Sequence, residues 1–197
     1  RAPACPTVVR MTRTPPPNDR HRTLLLLRHA KSDYPSGVAD HDRPLAARGI
    51  REAELIGDWI RANLPGNGEV DAVLCSTATR TRQTLERTGI TAPVQYVDRI
   101  YDSTPGVVID EINGARSRFA GDIGEHGDLS TLLVIGHEPV MSSLALNLAN
   151  SETCSGVVAQ EILAKFPTSS IAVLRTTEPW DQLALGSAEL VDFHIAR

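Results

Sequence analysis

Short runs of apolar residues punctuate the chain at 24–27, 72–75 and, behind Thr131, 131–135. None alternates with polar residues, so each predicts a strand buried on both faces of a sheet. Residues 94–97 and 171–174 predict two more strands, and 190–193 a closing one. Between these runs the period changes. Ile50, Ala53, Ile56, Ile60 and Leu64 recur at spacings of three and four, which predicts a helix over 45–64 ended by Pro65-Gly66-Asn67-Gly68. Trp59 falls at helical spacing and is expected in the core. Ser76 predicts the cap of a helix that runs to Thr88 and is closed by Gly89. Residues 106–119 and 139–149 predict two further helices, and the polar stretch 32–44, with Pro35, Gly37 and Pro44, a loop. Strands that alternate with helices imply a largely parallel sheet covered on both faces.

The 197 residues suit one domain, and 41% hydrophobic residues supply a core. Residues 1–22 hold five prolines and almost no apolar run, so they are expected to be a disordered leader, within which Met11 could be the native start and residues 1–10 a remnant. Residues 23–197 are then the single domain. No secretory core is present, and no run approaches the roughly 18 apolar residues of a membrane span. The expectation is a cytoplasmic protein without a membrane partner.

Net charge is −4, unevenly spread: residues 1–22 carry five arginines against Asp19 alone. The acidic remainder argues against a nucleic-acid partner, which would need a basic face. Cys5, Cys75 and Cys154 form neither a disulfide framework nor a metal motif, and read as free thiols.

Three of the apolar runs end in polar clusters: Arg28-His29-Ala30-Lys31-Ser32, the stretch from Ser76 to Thr84, and Gly136-His137-Glu138-Pro139. Open α/β sheets bind ligands at the carboxyl ends of their strands. Two histidines and at least two arginines should therefore meet in one crevice. With backbone amides at helix starts they make an anion site, and phosphate is the natural anion. A neutral imidazole is a competent nucleophile for phosphorus, and fixed cations can hold the equatorial oxygens. No carboxylate cluster suggests a metal, and no cofactor motif is present. A Cys-x5-Arg loop is excluded, because Thr81 stands where Cys75 would need its arginine.

The motifs Leu-Arg-His-Ala-Lys-Ser at 27–32, Asp-Arg-Pro-Leu-x-x-Arg-Gly at 42–49, Ser-x-x-x-Arg-x-x-Gln-Thr at 76–84 and Gly-His at 136–137 together resemble the histidine phosphatase superfamily. The Arg-His-Ala-Lys-Ser form and the short length resemble its SixA-type phosphohistidine phosphatase branch. The resemblance covers residues 24–193 and implies a three-layer α/β/α sandwich of the phosphoglycerate mutase-like type. It implies that His29 is the phosphorylated nucleophile, that Arg28 and Arg80 clamp the phosphate, and that His137 contacts the phosphoryl oxygens. Asp102, in Tyr101-Asp102-Ser103-Thr104-Pro105, lies where many members carry the general acid; Glu138 or water is the alternative. The implied substrate is a phosphohistidine on a partner protein, or else a small phosphoester. A non-catalytic phosphate- or phosphopeptide-binding module is the rival from another class, and it would have no need of His29.

Several neighbours read either way. Lys31 is a phosphate or substrate contact or a surface charge. Arg43 caps the pocket or pairs with Asp42. Arg80, as an ordinary surface residue, would pair with Glu86 or Asp71, yet it falls in the first turn of a helix, where the dipole disfavours a cation unless an anion lies between. His21, His41, His126 and His194 are expected to be exposed and without a role.

Overall fold

The computed structural model describes residues 21–64, 69–123, 128–152 and 156–197. The chain runs β1 (Arg22–Arg28), a 3-10 turn at Asp40–Asp42, α1 (Ala47–Asn63), β2 (Ala72–Ser76), α2 (Thr79–Thr88) and β3 (Val94–Val97). After a turn at Asp98–Ile100 come α3 (Pro105–Asn113), α4 (Ala115–Arg118) and α5 (Ala120–Ile123). Then follow β4 (Thr131–Gly136), α6 (Val140–Leu148), α7 (Gly156–Ala164), β5 (Ser170–Thr176), a turn at Trp180–Gln182 and β6 (Glu189–Ile195).

The six strands form one sheet in the order β3-β2-β4-β1-β5-β6. The pairs β2–β3, β2–β4 and β1–β4 are parallel, whereas β5 runs antiparallel to both β1 and β6. The leucine run of β1 shows why its residues are all apolar. Leu24 and Leu26 enter the core under α3, α6 and α7, while Leu25 and Leu27 enter the core under α1 and α2. All four are at most 1% exposed, and burying one such side chain contributes about 1.5–3 kcal/mol. A three-layer sandwich follows, of the phosphoglycerate mutase-like type.

Register carries the site. Arg28 pairs with Gly136 and Cys75 with Ile135, so the carboxyl ends of β1, β2 and β4 finish side by side. The residues that come next, His29, Ser76 and His137, emerge at one edge.

Several expectations are corrected. Arg22, placed with the leader by composition, is the first residue of β1 and pairs with Thr176; residues 1–20 lie outside the described residues, as do 65–68, His126, Cys5 and Cys154. The helix over 106–119 is two, with Gly114 at the joint. Residues 171–174 do form a strand, but an antiparallel one, and α7 has no counterpart among the expected helices. Ser76 does not cap α2. The helix starts at Thr79 with Ala78 at the cap position, while Gly89 ends it in the left-handed conformation as expected. Trp59 is only partly buried and stacks on His194 at 4.8 Å, so neither the core Trp nor the free histidine holds. No helix of the described residues is long and apolar enough to cross a membrane. Cys75 is buried, and burial pushes its thiol up to about 12.

Candidate active site

His29 follows β1 directly, and several neighbouring backbone groups are occupied. Its amide donates to the carbonyl of Gly136 at 3.0 Å, and its own carbonyl accepts from Ser169 at 3.2 Å. The Ala30 amide donates to Thr84 Oγ1 at 2.9 Å, and the Lys31 carbonyl accepts from Ala46 at 2.9 Å. Ser169 adopts a left-handed φ of 61° and donates through Oγ to the buried Glu52 at 2.9 Å. The loop is thus held from β4, α1, α2 and the start of β5.

The His29 ring lies with Nδ1 2.7 Å from the Ala30 carbonyl oxygen. A carbonyl can only accept, so Nδ1 carries the proton and Nε2 holds a lone pair. Burial, foremost, lowers the His29 pKa to about 3, with His137, Arg80 and Arg28 adding repulsion of a further charge. The imidazole is therefore neutral across the ordinary pH range.

His137 sits 5.2 Å from His29 between ring centroids, its Nε2 2.9 Å from Ser76 Oγ. Ser76 Oγ also accepts from the Ala78 amide at 3.5 Å. Nδ1 of His137 is a buried atom without a partner among the described residues. Burial, followed by Arg80, lowers the His137 pKa to about 4. Arg28 donates through Nη1 to the Phe166 carbonyl at 2.5 Å, and its buried Nε is also without a partner among the described residues. Two buried nitrogens, of which Arg28 Nε can only donate, are thus unpartnered beside the His29 ring.

Arg80 pairs with neither Glu86 nor Asp71. It donates through Nη1 to the Asp40 carbonyl at 2.6 Å and through Nη2 to Asp40 Oδ2 at 3.0 Å. Asp71 is taken by the amides of Ser130 and Thr131. Asp40 Oδ2 also accepts from Tyr101 Oη at 2.9 Å, and Oδ1 from Arg43 Nη1 at 2.6 Å. The Arg43 hydrogen bond, foremost among the favourable contacts, holds the Asp40 carboxyl down at about 2. Arg43 therefore meets Asp40 rather than Asp42, and its guanidinium lies 3.4 Å over the Tyr34 ring. Lys31 places Nζ 5.6 Å from that ring.

The structure brings Arg28, His29, Arg80 and His137 together. Asp102 is exposed, has a left-handed φ of 49° and makes no side-chain hydrogen bond among the described residues, but it follows Tyr101, whose ring is edge-on to His137 at 5.4 Å. Glu138 accepts from Ser142 Oγ at 3.0 Å, and burial raises its pKa above the usual carboxylate value. His41, expected to be idle, is half-buried, 3.0 Å from Thr77 Oγ1 and edge-on to Tyr101 at 4.8 Å. Asp40 is a site neighbour that the sequence motifs do not reveal, whereas Ser76 and Tyr101 stand in the quoted stretches without their contacts being readable there. Only the nearness of Asp40 to the Asp-Arg-Pro-Leu motif could have pointed to it. Among the described residues, no group of three or more His, Cys, Asp or Glu could hold a metal.

The family model of the histidine phosphatase superfamily (branch 1) matches residues 24–108. An uncharacterized protein of Mycobacterium tuberculosis is 56% identical over 171 residues, which are 87% of this chain and all of that protein. A solved structure of a candidate SixA phosphohistidine phosphatase from Nakamurella multipartitia is 37% identical, with a TM-score of 0.74 over 89% of this chain and 96% of that one. A candidate SixA from Agrobacterium tumefaciens is 26% identical, with a TM-score of 0.67 over 88% and 97%. The chain belongs to the histidine phosphatase superfamily.

Proposed function

We propose that the chain is a phosphatase acting through a phosphohistidine on Nε2 of His29, and that its substrate is a phosphohistidine on a partner protein. The observation that carries the reading is the His29 ring: neutral, with its proton committed to the Ala30 carbonyl and its Nε2 lone pair free. A merely phosphate-binding site would gain nothing from that tautomer, because a lone pair repels an anion.

In the first step Nε2 attacks phosphorus as the substrate P–N bond breaks, and the departing imidazole nitrogen takes up a proton from Asp102 or from a solvent water. In the second, water attacks the phosphoenzyme, which releases phosphate and restores the lone pair. Arg28 and Arg80 bind the equatorial oxygens, where charge gathers in the transition state. His137 donates from Nδ1. Lys31 is a further phosphate contact, while Arg43 acts at one remove through Asp40. Asp102 protonates a basic leaving group, and a labile P–N bond has least need of it. The catalytic domain begins with β1 at Arg22 and acts in the cytoplasm without a metal or other cofactor.

Two observations support a protein substrate: the 37% identity to the candidate SixA, and the exposed rim loop of residues 33–39 beside Arg43. The test compares kcat/KM on a phosphohistidine protein and on small phosphoesters, with and without EDTA, with His29→Ala as the blank. The phosphohistidine protein is expected to lead by at least about tenfold, or about 1.4 kcal/mol, with no effect of EDTA. A lead for the small esters reassigns the substrate, and loss in EDTA with rescue by Mg²⁺ contradicts the metal-free mechanism.

A further inference from the structure

Asp40 is half-exposed, yet it is the most heavily engaged carboxylate at the site. It lies in the 3-10 turn after β1, and its contacts reach two other segments, Arg80 from α2 and Tyr101 from the stretch after β3. Arg43, three residues on at the end of the same turn, adds a third partner. Arg43 is itself tied down by Ser32 Oγ at 2.5 Å and the Asp33 carbonyl at 2.9 Å. The carboxylate is thus braced from behind before it meets Arg80.

Arg80 needs such a brace. It is 6% exposed and lies in the first turn of α2, where the helix dipole repels a cation. A long, rotamer-rich side chain in that place would swing away from the helix end. Asp40 takes one hydrogen from each terminal nitrogen, which leaves three of the five guanidinium donors for an anion. The fork is fixed in plane and direction without being used up.

We propose that Asp40 is a positioning residue: it orients the Arg80 guanidinium for the transferring phosphoryl group and does not itself touch substrate. The proposal rests on the reading of Arg80 as a phosphate clamp. It differs from a plug, in which Asp40 would occupy the anion site and have to leave. A plug would need no brace of its own, whereas Arg43 and Tyr101 hold Asp40 where it is.

The test is a double-mutant cycle on the full chain with Asp40→Ala, Arg80→Ala and the pair. It is repeated with Asp40→Asn, which keeps the backbone contact and the shape. Thermal unfolding is followed for each variant, and phosphate inhibition is measured alongside kcat and KM. Asp40→Ala is expected to lower kcat at least about tenfold in the Arg80 background, with Asp40→Asn falling between, and to add less than about threefold once Arg80 is alanine. An equal loss in both backgrounds overturns the proposal, because Asp40 would then act independently of Arg80. Tighter phosphate inhibition with unchanged or faster turnover overturns it in favour of the plug. Full activity in Arg80→Ala is the separate result that removes the clamp itself. Should Asp40→Ala unfold, the Asp40→Asn arm decides between the same outcomes.

Discussion

The hydroxyl of Ser76 lies 2.9 Å from Nε2 of His137, so the last residue of one strand holds the ring of the histidine that follows another. Removing the hydroxyl takes away that partner. Ser76→Ala is expected to cut kcat about three- to tenfold, the rate equivalent of one ordinary hydrogen bond. Nitrogen NMR of His137 should then show the proton shared between both ring nitrogens. An unchanged tautomer with lowered activity would assign Ser76 another role.

Two glycines of α1 separate the fold from the site. A Cβ on Gly49 would lie 2.1 Å from the Lys31 carbonyl oxygen, and one on Gly57 would lie 2.0 Å from that of Thr88. Neither backbone oxygen can yield without moving its segment. Each alanine substitution is expected to destabilise the protein by about 2 kcal/mol or more, read from chemical unfolding. Only Gly49→Ala displaces the loop that carries His29, so only it should lower the kcat of the folded fraction. Equal kcat losses would mean that the α1–α2 contact also shapes the site.

The strand-end clusters were legible because each is local: an apolar run, then Arg28-His29, Ser76 to Arg80, or Gly136-His137. Parallel alternation placed them at one edge without any knowledge of contacts. The rest is long-range. Asp40 is 40 residues from Arg80 and 61 from Tyr101, and a lone acid in a polar loop has no periodicity to betray a partner. Ser76 resembles a cap because serine before a helix usually is one; its hydroxyl is spent on His137, 61 residues away. The direction of β5 was hidden because a run such as Ile171-Ala172-Val173-Leu174 is equally apolar either way.

Stability should depend on pH through the two buried imidazoles. In the unfolded chain each takes up a proton near pH 6.5, but in the folded protein only near about 4 for His137 and about 3 for His29. The unfolded state binds more protons in between, so this stability is whole above about pH 6.5 and is lost as the pH falls towards 4 and then 3. Asp40 acts lower, between 3.8 and about 2. Glu138, with its raised value, opposes the histidines above 4.5. Denaturant midpoints from pH 7 to 5 should therefore fall less in a His29→Gln, His137→Gln variant than in the parent. Identical slopes would mean that the imidazoles are protonated in the fold.

Asp102→Asn should discriminate by leaving group. Alkyl esters, whose leaving oxygens are strongly basic, should lose most, aryl esters little, and phosphohistidine little. Equal activity on every substrate would remove Asp102 from the mechanism and leave the proton to Glu138 or water.

The most direct measurement is to trap the covalent intermediate. Brief incubation with labelled phosphohistidine protein, an acid-free quench and peptide mass spectrometry should place phosphate on His29. His29→Ala should carry no label and should lose at least about three orders of magnitude in kcat. Label on another residue, or near-normal turnover by His29→Ala, would contradict the phosphohistidine mechanism.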